Sequence, residues 1–145
     1  MSASNDYTGD VEGTVKVCFN DPIGSPSASM TMEVEGLPSL IAGGVHIHAG
    51  TSCDSKDTQL GHYWDNTKVA DPWFNIASSL APTGTGYSTD EDGEGSAFFF
   101  VDYAYGFAET VGKVVVIHGE VGTQLGVTLG DGTYPRIACG VLVED

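Results

Sequence analysis

Val11, Gly13, Val15, Val17 and Phe19 alternate with Glu12, Thr14, Lys16 and Cys18, the two-residue period of a strand with one face on a core and the other in water. Met30, Met32 and Val34 repeat the pattern. Further β-rich runs fall at residues 44–49, 96–105, 113–119, 125–129 and 137–143. Turn signals separate them, among them Asp21-Pro22, Gly36-Leu37-Pro38, Asp92-Gly93 and Asp131-Gly132. No stretch sustains a 3.6-residue apolar period. Six to eight short strands imply an all-β fold, an immunoglobulin-like Greek-key β-barrel or sandwich of about eight antiparallel strands. Residues 1–9 are polar, read as a flexible N-terminal segment and lack the features of a signal peptide. Residues 10–145 read as a single domain without internal repeats or a linker. The stretches 54–79 and 119–135 are long and irregular enough to be functional loops.

Charge narrows the partners. Twenty acidic residues against five basic ones leave a formal charge of −15. Such a surface has no cationic face to displace phosphate counterions, so a nucleic-acid partner is excluded, and adsorption to anionic membrane is disfavoured. The longest apolar runs, such as Val114-Val115-Val116-Ile117, are far too short for membrane insertion as a spanning helix. The acidic run Thr89-Asp90-Glu91-Asp92-Gly93-Glu94 lacks the full ligand spacing of a calcium loop and reads as a solvated hairpin turn. The aromatic set running from Tyr63 to Phe107 is expected to fill the barrel with its alternate members and to cover the 54–79 loop.

The rare residues carry the chemistry. The chain has four histidines (His46, His48, His62 and His118), three cysteines and a single arginine, Arg136. In Val45-His46-Ile47-His48 the two imidazoles lie on one face of a β segment, roughly 6–7 Å apart at the backbone. An isolated His-x-His is most simply a surface pair. Here His62 follows a short loop and His118 ends the most β-like run, so a four-imidazole metal site is the sharper reading. Such a set suits copper or zinc, and composition alone does not choose between them. Cys18, Cys53 and Cys139 allow three pairings. Arg136 is either an anion-attracting group in an acidic domain or a structural hydrogen-bond donor to a loop.

The segments Gly44-Val45-His46-Ile47-His48 to Cys53, Gly61-His62, Val116-Ile117-His118-Gly119 and Pro135-Arg136-Ile137-Ala138-Cys139-Gly140-Val141 resemble, in order, the copper/zinc superoxide dismutases. The strand pattern from about Val11 to Val143 is compatible with that family, and Val15-Lys16-Val17-Cys18 looks like its first strand. The resemblance implies copper ligands at His46, His48, His62 and His118, a disulfide between Cys53 and Cys139, and an active-site arginine at Arg136. Cys18 is then a free thiol, expected to be buried. A zinc-bearing member supplies two more histidines and an aspartate after the bridging histidine. In this chain no histidine separates His62 from His118, so no zinc site is expected, and the short interval from His118 to Arg136 suggests a trimmed charged loop.

That combination is similar to the copper-only superoxide dismutases, and His62-Tyr63-Trp64 most resembles their repeat proteins, which occur as tandem domains of larger extracellular chains. The resemblance implies an oxidoreductase that disproportionates superoxide to O₂ and H₂O₂ on a mononuclear copper (Cu²⁺/Cu⁺), with His62 passing a proton and Arg136 positioning the anion. Without zinc another group must orient His62, and Asp65, Asp71 and Asp102 are the candidates. The location so implied is extracellular or secreted. Neighbouring repeat domains are candidate partners, the polar start fits one repeat of a longer chain, and a monomer is favoured. The alternative is an extracellular copper-binding or interaction module with little or no dismutase activity.

Overall fold

Strands form where the alternation is most regular. In the computed structural model, which describes residues 2–3, 9–19, 28–73, 84–119 and 135–145, β2 (Glu12–Phe19) pairs antiparallel along its whole length with β3 (Ala28–Glu35). Ala28, Met30, Met32 and Val34 of β3 are buried, while Thr31, Glu33 and Glu35 are exposed. β2 ends the strand order, so its inward residues Val15, Val17 and Phe19 are only half-buried. The remaining strands are β1 (Ser2–Ala3), β4 (Ala42–His48), β5 (Gly86–Thr89), β6 (Gly95–Val101), β7 (Val114–His118) and β8 (Arg136–Val141). Two single-turn helices, α1 (Lys56–Gln59) and α2 (Phe107–Thr110), sit in connections.

Every strand pair among the described residues is antiparallel, and the spatial order is β1-β8-β7-β4-β5-β6-β3-β2. Strands β4, β5 and β6 run as consecutive neighbours while β7 returns to lie beside β4, which is a Greek key. The all-β expectation therefore holds. The sheet curls at β4, whose residues Ala42, Gly43 and Gly44 pair with β5 while Val45–His48 pair with β7. Gly43 makes this crossing possible. A Cβ there would lie 2.1 Å from the His118 carbonyl oxygen, the same oxygen that accepts the Tyr87 hydroxyl at 2.8 Å.

The core is enclosed by the curl: Met30 and Met32 from β3, Val45 and Ile47 from β4, Val115 and Ile117 from β7, with Tyr87, Phe99, Tyr103 and Trp73. On the opposite face of β7 and β8, Val114, Val116 and Cys139 form a second apolar cluster against Cys53. β4 and β7 are thus buried on both faces. The outer cover is the 49–62 loop, clamped to β8 by the Cys53–Cys139 disulfide, a bond that persists in oxidising compartments. Among the described residues no helix is long and apolar enough to cross a membrane.

Several expectations need correction. Cys18 is exposed, because it shares the face of β2 that carries Glu12, Thr14 and Lys16; position in the alternation prevails over the apolar character of the residue. The 96–105 run ends as a strand at Val101, after which Asp102 accepts from the Ala104 amide in a turn leading to α2. β5 lies in none of the β-rich runs expected from the sequence. Within the polar 1–9 segment, Ser2 and Ala3 pair with Cys139 and Ala138. The strand expected at 125–129, most of the 119–135 loop, and the 74–79 part of the earlier loop lie outside the described residues. Asp90 to Glu94 form the β5–β6 hairpin turn, the Asp90 carboxylate accepting from the Asp92 and Glu94 amides. Phe99 points inward and its neighbours Phe98 and Phe100 outward, as alternation requires.

Candidate metal centre

Strand geometry places the first two ligand candidates. His46 and His48 share the outer face of β4, opposite Val45 and Ile47, with ring centres 6.4 Å apart. The chain then leaves the sheet and returns beside it. The Ala49 amide donates to Gly61, the Gly50 amide to Gln59 and the Tyr63 amide to Ile47, so His62 comes to lie directly opposite His48. Gly50 is required at the neck of this loop, since a Cβ there would meet the Thr58 carbonyl at 2.0 Å. His118 completes the set from the end of β7.

One donor nitrogen from each of the four rings lies within 4.8 Å of the others. Ring-centre distances around the set are 4.7 Å (His46–His62), 5.2 Å (His62–His48), 5.2 Å (His48–His118) and 4.7 Å (His118–His46), with diagonals of 6.4 and 6.5 Å. The ratio of diagonal to side is about 1.3, against 1.0 for a regular tetrahedron and about 1.4 for a square. The ring centres therefore form a flattened tetrahedron, its two diagonals passing about 2 Å apart, roughly midway between a regular tetrahedron and a square. Metal–imidazole bonds of about 2.0–2.1 Å put opposite donors about 4 Å apart, so closing on an ion asks for movements of under an ångström.

The ring nitrogens are prepared for that role. Leu60 accepts from His48 Nδ1 at 2.8 Å, and Asp71 Oδ2 accepts from His62 Nδ1 at 2.8 Å, which leaves Nε2 of both rings for an ion. His48 Nε2 lies 3.1 Å from His118 Nε2. Two imidazole nitrogens so close share at most one proton, and an ion bound by both replaces it. His118 Nδ1 is buried with no hydrogen-bond partner among the described residues. Burial lowers the His48 pKa to about 3, with the Arg136 charge adding to the effect and the Leu60 bond opposing it. Burial also holds His118 well below the usual histidine range, assisted by the neighbouring rings and Arg136. Both are thus neutral, the form that binds metal. These donors and this geometry fit a resident transition-metal ion.

Arg136 reaches the site through an irregularity. β8 pairs Ala138 with Ile117, but the register shifts there and His118 faces Arg136 instead of Ile137. Ile137 and Ala138 are consecutive yet both belong to the core. Such a bulge re-aims the side chain beside it. Arg136 Nη1 donates to Gln59 Oε1 at 3.1 Å, and its charge acts on both His48 and His118.

The structure thus gathers His46, His48, His62 and His118, sets Arg136 beside them and bonds Cys53 to Cys139. Of the three carboxylates considered for His62 it selects Asp71, whose other oxygen accepts the Trp73 amide. Asp65 instead caps its own turn through Thr67 and pairs with Lys68, and Asp102 serves Ala104. Two further supports, the Leu60 carbonyl and the Gln59 side chain, are marked by no motif in the sequence. The only sequence signal for their turn is Ser55 followed three residues later by Thr58, whose reciprocal bonds cap α1. No protein-family model matches the chain, and no curated protein matches it.

Proposed function

We propose that the protein is a copper-only superoxide dismutase of the extracellular type, converting two superoxide ions and two protons to O₂ and H₂O₂. The observation that carries this reading is the flattened set of four imidazoles with His62 anchored to Asp71. A four-nitrogen set flattened away from the regular tetrahedron suits Cu(II) better than zinc, and the chain has no further histidine for a second ion. The ordered resemblance of the motifs at His46, His62, His118 and Arg136 to the copper/zinc superoxide dismutases supports the same assignment, and the disulfide supports an oxidising location.

Bound copper supplies alternating one-electron oxidation and reduction of the two superoxide ions. The protein supplies orientation, charge and protons. Arg136 draws the anion to the imidazole face against the long-range repulsion of a chain carrying −15. His62 is the ring that reaches solvent, with 27 % of its side chain exposed, whereas His46, His48 and His118 are buried. Its Nε2 is accordingly the place where a solvent proton is held and passed on, with the Asp71 carboxylate fixing the ring through Nδ1.

Metal analysis after loading with both copper and zinc, followed by a superoxide-consumption assay, tests the assignment. One copper and no zinc per chain, with rapid consumption lost in proportion to copper removal, is the expected result. A stoichiometric second metal refutes the single-site reading. Copper binding without consumption reduces the chain to a copper-binding module. Replacing Arg136 by alanine lowers the rate per copper at unchanged copper content; an unchanged rate returns Arg136 to a structural role.

A further inference from the structure

Among the described residues Gln59 is the one fully buried amide side chain, 1 % exposed. Interior glutamines are rare unless hydrogen-bonded, and this one accepts from Arg136. It stands on a turn held by several hydrogen bonds. Ser55 and Thr58 cap α1 reciprocally, the Gly50 amide holds the Gln59 carbonyl at 2.9 Å, and the next residue, Leu60, fixes His48. One turn therefore sets both an imidazole of the metal site and the guanidinium beside it.

The chemistry of the acceptor matters more than its presence. A carboxylate at this position would bind a guanidinium more strongly. It would also bring a negative charge to the place where an anion is to be received. An amide oxygen takes up a guanidinium N–H and fixes its direction without adding charge. We propose that Gln59 is the positioning residue of Arg136 and that its neutrality keeps the face of the metal site open to a small monovalent anion. This rests on the reading of Arg136 as the anion anchor beside bound copper.

The test is titration of the Cu(II)-loaded protein with azide at fixed ionic strength, followed by copper absorption, alongside thermal melts of the metal-free protein. Gln59→Glu retains an oxygen acceptor for Arg136, so its melting temperature stays near that of the parent. Its azide affinity is expected to fall on the order of tenfold, the effect of one unit charge acting across several ångströms of protein. Gln59→Leu, similar in volume but without an acceptor, weakens azide several-fold by removing the bond that sets the direction of the guanidinium. Parental azide affinity in Gln59→Glu overturns the proposal while leaving the copper site intact. Should that variant not fold, Gln59→Leu decides: unchanged azide affinity overturns the proposal and weakened affinity supports it. Azide affinity in Arg136→Ala equal to the parent's overturns the underlying reading of Arg136, and the proposal with it.

Discussion

Removing the Cys53–Cys139 bridge offers the sharpest quantitative test of how this fold is held. The bridge spans 86 residues, and in the chain-entropy treatment a loop of that length restricts the unfolded state by about 4.6 kcal/mol at 25 °C. For 145 residues the unfolding entropy near the midpoint is about 0.3 kcal/mol/K, so the Cys53→Ala/Cys139→Ala variant is expected to melt about 15 °C lower. Cys139 is buried against Val114 and Val116, and the lost packing adds about 1 kcal/mol. Reduction of the parent protein without substitution should therefore give a slightly smaller shift than the double alanine variant.

The metal site should respond differently. The neck of the 49–62 loop is pinned beside β4 by the bonds from Ala49, Gly50 and Tyr63, which do not involve the bridge. The folded, bridge-free protein is thus expected to take up one copper at saturation and to gain a similar increment in melting temperature from it. Calorimetry of four samples, bridged and unbridged, with and without copper, reads both quantities. A bridge effect below about 5 °C refutes the argument from unfolded-state entropy. Loss of copper stoichiometry in the folded, unbridged chain refutes the assignment of the site's geometry to the neck of the loop.

Four shorter predictions follow from other contacts. Asp71→Asn, which removes the carboxylate from His62 Nδ1, should lower superoxide consumption per copper by about 10–100-fold; an unchanged rate means that the pair plays no part in the reaction. Gly43→Ala forces a Cβ against the His118 carbonyl and should cost about 2–3 kcal/mol in denaturant unfolding, with a neutral result excluding the close β4–β7 crossing. The exposed Cys18 should react with a thiol reagent in the native protein, one equivalent per chain, and reaction only after unfolding would contradict its position on β2. Because the net charge of −15 repels superoxide at a distance while Arg136 acts close to the site, moderate salt should raise the second-order rate constant; a steep fall would reveal a cationic funnel.

What was legible in the sequence follows from which faces meet water. β2 and β3 announce themselves because their outer faces are polar, and the 3.4 Å step of a strand makes every second residue a report on burial. β4 and β7 show no such alternation, since the disulfide-clamped loop covers their outer faces; there the histidines themselves were the signal. β5 stayed hidden because Gly-Tyr-Ser-Thr turns only Tyr87 and Thr89 inward, too few positions to establish a period. The Asp71 contact to His62 lies nine residues away across a turn, where spacing carries no geometric information, so the sequence could supply candidates but not a choice. Arg136 is the most instructive case. Strict alternation puts it on the same face as Ala138, toward the core, where a charged group would be costly. The register shift at His118 turns it instead toward the imidazoles and onto the oxygen of Gln59. A single bulge, written in no residue type, therefore decides whether the chain's one arginine meets the metal site.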